Sequence, residues 1–238
     1  MSRRGYKCKP TQRKVVKWVS AIEAALADNR LAPGAASKLA GRLSWGSSHL
    51  FRRLGRAMLR PIFDQQTRRD GLMSQELQRA LRWWLEVLQR GLCERRAWNK
   101  EDEPAVHLFC DASGHPAHLG AVLFIGDMCY YTDMAPDGKV LDMFRRRRDN
   151  QIMGLELLSI SLGLCTFERI IRGRNVVVHS DNTGSEAAIR RGTAVALDHA
   201  QLVHTQWTHI AEQGLRVHVL RVGTHDNVAD LPSRRVPC

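Results

Sequence analysis

The chain has 238 residues, 44% hydrophobic and 25% charged, enough for one large domain or two modest ones with a real core. Its longest apolar runs fall far short of the ~18 residues of a membrane span, and its basic start lacks the apolar stretch of a secretory signal. The formal net charge of +12 is unevenly divided: residues 1–100 hold 22 Lys+Arg against 7 Asp+Glu, whereas residues 101–238 hold 14 against 17. Such asymmetry suggests a module that holds a polyanion, nucleic acid first among candidates, joined to one that uses carboxylates differently.

Residues 1–95 read as a small basic helical domain. Val15, Val19, Ile22 and Leu26 recur at helical steps up to the Pro33-Gly34 break. A second helix is expected through the next segment. There Phe51, Leu54, Met58 and Ile62 form one apolar face, and Arg52, Arg56 and Arg60 form a cationic row on another. A third stripe, Leu77, Leu81, Trp84, Leu88 and Leu92, follows Gly71, and at this spacing Trp83 and Trp84 are expected in the helical core. The charged stretch over 96–104 is the linker candidate.

From residue 105 to 238 the period changes. AVHLFC, LGAVLFI, MCYYTDM, VVVHS and LRVHVLRV are short β-rich runs, while 150–171 and 195–213 are long enough for helices. The first three runs are closely spaced, as in an antiparallel meander. The later ones alternate with helices, as in parallel crossovers. The six cysteines (Cys8, Cys93, Cys110, Cys129, Cys165 and Cys238) are scattered without zinc-ligand spacing. Reduced thiols in an intracellular protein are the expectation.

Asp111 ends the run AVHLFC, and Asp181 ends NVVVHS. Both strands look buried on two faces, because their apolar character is nearly continuous. Each aspartate is either a turn former, since Ala-Ser-Gly or Asn-Thr-Gly follows it, or a site residue. Glu156 lies in IMGLELLSISLGLCTF, a helix apolar all round. An ionised carboxylate buried there without a partner costs several kcal/mol or more. The small residues Ser159 and Gly163 share its face and allow close approach to a sheet. Glu156 is answered either by a salt bridge from the Arg145, Arg146, Arg147 and Arg148 run or by a cation shared with Asp111 and Asp181. Asp230, in THDNVADLPSR, can return over the sheet on a short helical turn. Carboxylates gathered on strand ends repel one another unless divalent cations lie between them. Oxygen-only ligands favour Mg²⁺ or Mn²⁺, and two such ions ~3.5–4 Å apart suit phosphodiester hydrolysis.

FCDASG, the GLELLSI helix, VHSDNTGSEAAIRRG and NVADLPSR, in that order, resemble the ribonuclease H domain of retroelement reverse transcriptases, the DIRS-type retrotransposons above all. The resemblance covers residues 105–235. It implies an α/β ribonuclease H-like fold, a five-stranded mixed sheet flanked by helices, with Asp111, Glu156, Asp181 and Asp230 as ligands of two Mg²⁺ (or Mn²⁺) ions. The implied activity is endonucleolytic cleavage of the RNA strand of an RNA–DNA hybrid. KLAGRLSWGSSHLFRRLGRAMLRPIF is similar to the helical thumb and connection region that precedes the nuclease in these elements. The polymerase motif Tyr-x-Asp-Asp is absent, since YYTDM carries a single acid. The chain is therefore read either as part of a larger reverse transcriptase polyprotein or as an independent nuclease.

Other residues are weighed beside the acids. Asn182 and Thr183 either contact a substrate phosphate at a helix start or simply cap that helix. The run Arg145 to Arg148 either tracks a nucleic-acid backbone or is a solvated loop. His225 maps loosely to a histidine found before the last acid in such nucleases, and Asn227 is a further accessory candidate. The order Asp, Glu, Asp, Asp disfavours a transposase core, whose glutamate comes last. Ala112 and Ser113 after Asp111 disfavour a proofreading exonuclease, which needs a second acid two residues on. The alternative from another class is a catalytically inactive ribonuclease H-like scaffold that binds RNA.

Overall fold

A computed structural model describes residues 5–8, 10–49, 53–91, 94–97, 104–144 and 151–235. The chain divides into two compact units, Met1–Lys100 and Glu101–Cys238. Among the described residues no helix is long and apolar enough to cross a membrane.

The first unit runs β1 (Gly5–Cys8), α1 (Gln12–Ala27), α2 (Pro33–His49), α3 (Arg60–Asp64), α4 (Gln75–Arg90) and β2 (Glu94–Ala97). β1 and β2 pair antiparallel, with Gly5 opposite Ala97, so residues 96 and 97, read from sequence as linker, belong to a strand. α4 is the best-marked helix. Ser74 accepts a hydrogen bond from the Leu77 N–H at 3.2 Å, and Gly91 ends the helix in the left-handed conformation. Leu77, Leu81, Trp84 and Leu88 are buried as their spacing predicts, and Trp83 meets Trp84 edge-on at 5.0 Å. In α1 the buried face is Trp18, Ile22 and Ala25, rotated from the expected Val15, Val19, Ile22 and Leu26 stripe. The largest apolar side chain of the helix, Trp18, is thereby taken out of water.

The continuous helix expected through Arg56 and Arg60 is replaced by a turn, a 3-10 segment at Ala57–Leu59 and the short α3. Gly55 explains the break. Its φ is +79°, and a Cβ there would lie 2.6 Å from the Trp84 ring, so the chain turns where only glycine fits. The cationic row is therefore not one helix face. Arg56 Nη2 donates to Ser48 Oγ at 3.3 Å, and Arg60 lies 4.0 Å from Asp64. Arg52 lies outside the described residues, as do Arg145, Arg146, Arg147 and Arg148.

The second unit runs β3 (Val106–Gly114), β4 (Ala117–Ile125), β5 (Met128–Met134), α5 (Gly138–Leu141), α6 (Ile152–Thr166), α7 (Glu168–Ile171), β6 (Asn175–Ser180), α8 (Thr183–Arg191), α9 (Leu197–Glu212), β7 (Arg216–Arg221) and α10 (Asp230–Ser233). Its sheet has the order β5-β4-β3-β6-β7. β3, β4 and β5 pair antiparallel, whereas β6 lies parallel to β3 and β7 parallel to β6. This is an α/β unit with a five-stranded mixed sheet flanked by helices, in the ribonuclease H-like arrangement. Short hairpins permit the antiparallel pairs, and helical crossovers are needed for the parallel ones. α6 packs closely on the centre of the sheet because Gly163 has no side chain: a Cβ there would be 2.8 Å from Leu108.

Two local expectations change. β3 continues three residues beyond Asp111, because the reversal falls at His115–Pro116 rather than at Ala-Ser-Gly. Nor is the strand covered on both faces. Leu108 and Cys110 are buried, while His107 is exposed and Phe109 half-buried. β6 alternates in the same way.

Candidate metal centre

Asp111 sits on the central strand β3, opposite Gly120 of β4, and is only 7% exposed. α10 lies directly against that position. A Cβ on Gly120 would stand 2.5 Å from the Ser233 nitrogen and 2.8 Å from the Ala229 oxygen, so the absent side chain is what lets α10 approach. From α10 the Ser233 hydroxyl donates to Asp111 Oδ2. Asn227, also buried, donates from Nδ2 to the Cys110 carbonyl at 3.1 Å and to Asp111 Oδ1 at 3.5 Å. One carboxylate is thus gripped from a segment more than a hundred residues away.

Glu156 projects from α6 and is 4% exposed. Its neighbour Ser159 donates to the Glu156 backbone carbonyl at 2.8 Å rather than to the carboxylate. Among the described residues, Glu156 Oε2 is buried with no hydrogen-bond partner. Asp181 follows β6 directly. Ser180 and Ser185 hydroxyls meet at 3.1 Å, and Asn182 Oδ1 accepts from the Ser185 N–H at 3.0 Å, capping α8. Asn182 therefore uses its side-chain oxygen as the helix cap, and Thr183 is exposed at the first position of that helix.

Asp111, Glu156 and Asp181 each offer an oxygen, and these oxygens lie within 4.8 Å of one another. Their electrostatics follow. Burial, and then the Asp111 and Asp181 charges, push the Glu156 carboxyl up to about 9, against a hydrogen bond from the Ala112 backbone. Burial also raises Asp111, with Asp181 and Asp230 adding to the rise, while the Ser233 hydrogen bond and Arg234 oppose it. Three acids so placed are unfavourable as bare charges. A divalent cation among them would supply the missing partner for Glu156 Oε2. The donors are all oxygen, which fits a hard ion such as Mg²⁺ or Mn²⁺.

Asp230 stands apart from the three. It lines the same cleft, of about 560 Å³, but its side chain is 34% exposed and its Oδ1 accepts from Arg234 Nε at 2.7 Å. His225 is exposed on a 3-10 turn and is not among the cleft-lining residues, whereas the preceding Thr224 is. Sequence reasoning missed Ser233, Arg234, Arg235 and His118, all of which line the cleft. The Pro-Ser-Arg ending after Asp230 carried a signal for the first two.

No family model and no curated protein matches this sequence. Among solved structures the chain is similar to a foamy viral protease-reverse transcriptase in complex with dsDNA, at 13% identity and a TM-score of 0.36. That match covers 87% of this chain and 41% of the other, so the chain spans less than half the length of the protein it matches.

Proposed function

We propose that the chain is a metal-dependent endonuclease that cuts the RNA strand of RNA–DNA hybrids, the ribonuclease H part of a DIRS-type reverse transcriptase. The observation that carries this reading is the convergence of Asp111, Glu156 and Asp181 within 4.8 Å, from three elements far apart in sequence, around a buried oxygen that has no partner among the described residues. Asp230, on the rim of the same cleft, completes the ligand set for two Mg²⁺ or Mn²⁺ ions. Ions bound there would activate a water as nucleophile and neutralise charge on the departing 3′ oxygen.

The chain's own residues prepare the site. Ser233 and Asn227 hold Asp111 in one orientation, and the close approach of α6 holds Glu156 out of water. Arg234 keeps Asp230 turned to the cleft. Thr183 and the N–H groups at the start of α8 face a phosphate of the bound strand, and contacts to 2′-hydroxyls select RNA. The basic Met1–Lys100 unit, thumb- and connection-like, adds phosphate contacts whose affinity falls with salt.

The test is incubation with an end-labelled RNA–DNA hybrid and Mg²⁺, with Asp111→Asn and Asp181→Asn in parallel. The parent cuts the RNA strand, and both variants lose at least about 100-fold. Equal cutting by parent and variants would refute the reading, and absence of cutting by all three would favour the RNA-binding scaffold.

A further inference from the structure

At the rim of the acidic cleft a second constellation uses none of the four acids. His118 lies on β4 and is only 5% exposed, yet it lines the cleft. Its two ring nitrogens face different partners. Nε2 is 2.7 Å from Asp133 Oδ2 on β5, and Nδ1 accepts from Arg235 Nε at 3.4 Å. The arrangement fixes the tautomer: an arginine can only donate, so Nδ1 carries no proton, and Nε2–H donates to the carboxylate. A buried imidazole held from both sides aims one exposed guanidinium.

Arg235 is exposed and lines the cleft together with Asp111, Glu156 and Asp181. Among the described residues only its Nε is engaged, by His118, which leaves the two terminal amino groups to form a planar fork. Such a fork matches two oxygens of a phosphodiester, a geometry lysine cannot copy. Its neighbour Arg234 is differently employed, since its Nε is bound to Asp230. The adjacent arginines therefore divide the work, one holding an acid of the cleft and the other facing outward.

We propose that Arg235 clamps a backbone phosphate of the bound nucleic-acid strand beside the acidic cluster, and that His118 and Asp133 are positioning residues that aim it. The proposal rests on the nuclease reading for its substrate, a phosphodiester chain. Its closing experiment separates the two by measuring binding independently of cutting.

Affinity of the full-length Asp181→Asn chain for an RNA–DNA hybrid is measured across a salt series, with and without Arg235→Ala. Loss of one phosphate contact should lower the slope of log affinity against log salt by about one. In the cutting-competent chain, Arg235→Ala should raise KM about tenfold and leave kcat within about threefold, with Arg235→Lys recovering only part of the loss. His118→Leu should raise KM in the same direction. His118→Asn, whose amide oxygen can stand where Nδ1 does, should restore part of the affinity, which a merely structural role would not predict.

An unchanged salt slope and KM in Arg235→Ala overturn the clamp, even where the parent cuts normally. Equal KM for His118→Leu and parent overturns the positioning role. If the parent fails to cut but its hybrid binding loses one unit of salt slope on removal of Arg235, the clamp stands and the nuclease reading falls. A parent that neither binds nor cuts overturns both.

Discussion

Replacing Glu156 by glutamine separates a carboxylate kept for a cation from one kept for folding. The side chain is 4% exposed, and its carboxyl is pushed from 4.5 up to about 9, first by burial and then by Asp111 and Asp181. Because the folded value exceeds the unfolded one, stability is fully present below pH 4.5 and is lost as pH rises toward 9. At about 1.36 kcal/mol per unit, the penalty at pH 8 has a ceiling of about 5 kcal/mol. Relaxation and water entry reduce it, and we expect Glu156→Gln to gain about 2 kcal/mol without metal. At about 2–4 °C per kcal/mol the melting temperature should rise by about 4–8 °C at pH 8, and hardly at all at pH 5. With Mg²⁺ the order reverses. The parent should be stabilised by ion binding and the variant much less, with cutting lost in the variant. Thermal melts at both pH values, with EDTA or Mg²⁺, read all of this. A variant less stable than the parent at pH 8 in EDTA, or one that gains as much from Mg²⁺, would refute the reasoning.

Ser233→Ala removes the hydrogen bond that holds the already raised Asp111 carboxyl down. The acid limb of the cutting rate against pH should therefore move to higher pH, with little change on the alkaline side. Gly120→Ala places a methyl group where the Ser233 nitrogen and Ala229 oxygen now stand. A cost of about 1–3 kcal/mol in denaturant unfolding is expected, along with loss of cutting although no acid has changed.

Much of the second unit is legible in the sequence because its signals are local. Short β-rich runs broken by Gly, Asp or Pro locate the strands, their spacing separates the antiparallel pairs from the parallel ones, and an acid in an all-apolar helix marks Glu156 as needing a partner. What failed to show depends on neighbours distant along the chain. Gly120 reads as an ordinary strand residue until α10 lies against it. Asn227, Ser233 and Arg235 each make contacts across more than a hundred residues with Cys110, Asp111 and His118, and no periodicity announces such pairs. His107 and Phe109 inflated the apolar run of β3, although they lie on the face that stays open. In the basic unit, a regular arginine spacing suggested one helix, but the turn at Gly55 answers to the two tryptophans of α4. The strand ERRA has no apolar alternation to reveal it.

The central claim, that the carboxylates of β3, α6 and the end of β6 share divalent cations, is tested most directly by crystals of the full chain soaked in Mn²⁺ and measured at a wavelength where manganese scatters anomalously. Anomalous density is expected within about 2.0–2.3 Å of oxygens from Asp111, Glu156 and Asp181, abolished in Asp111→Asn. Saturating Mn²⁺ with no density at the cluster, or density confined to surface carboxylates elsewhere, would contradict it.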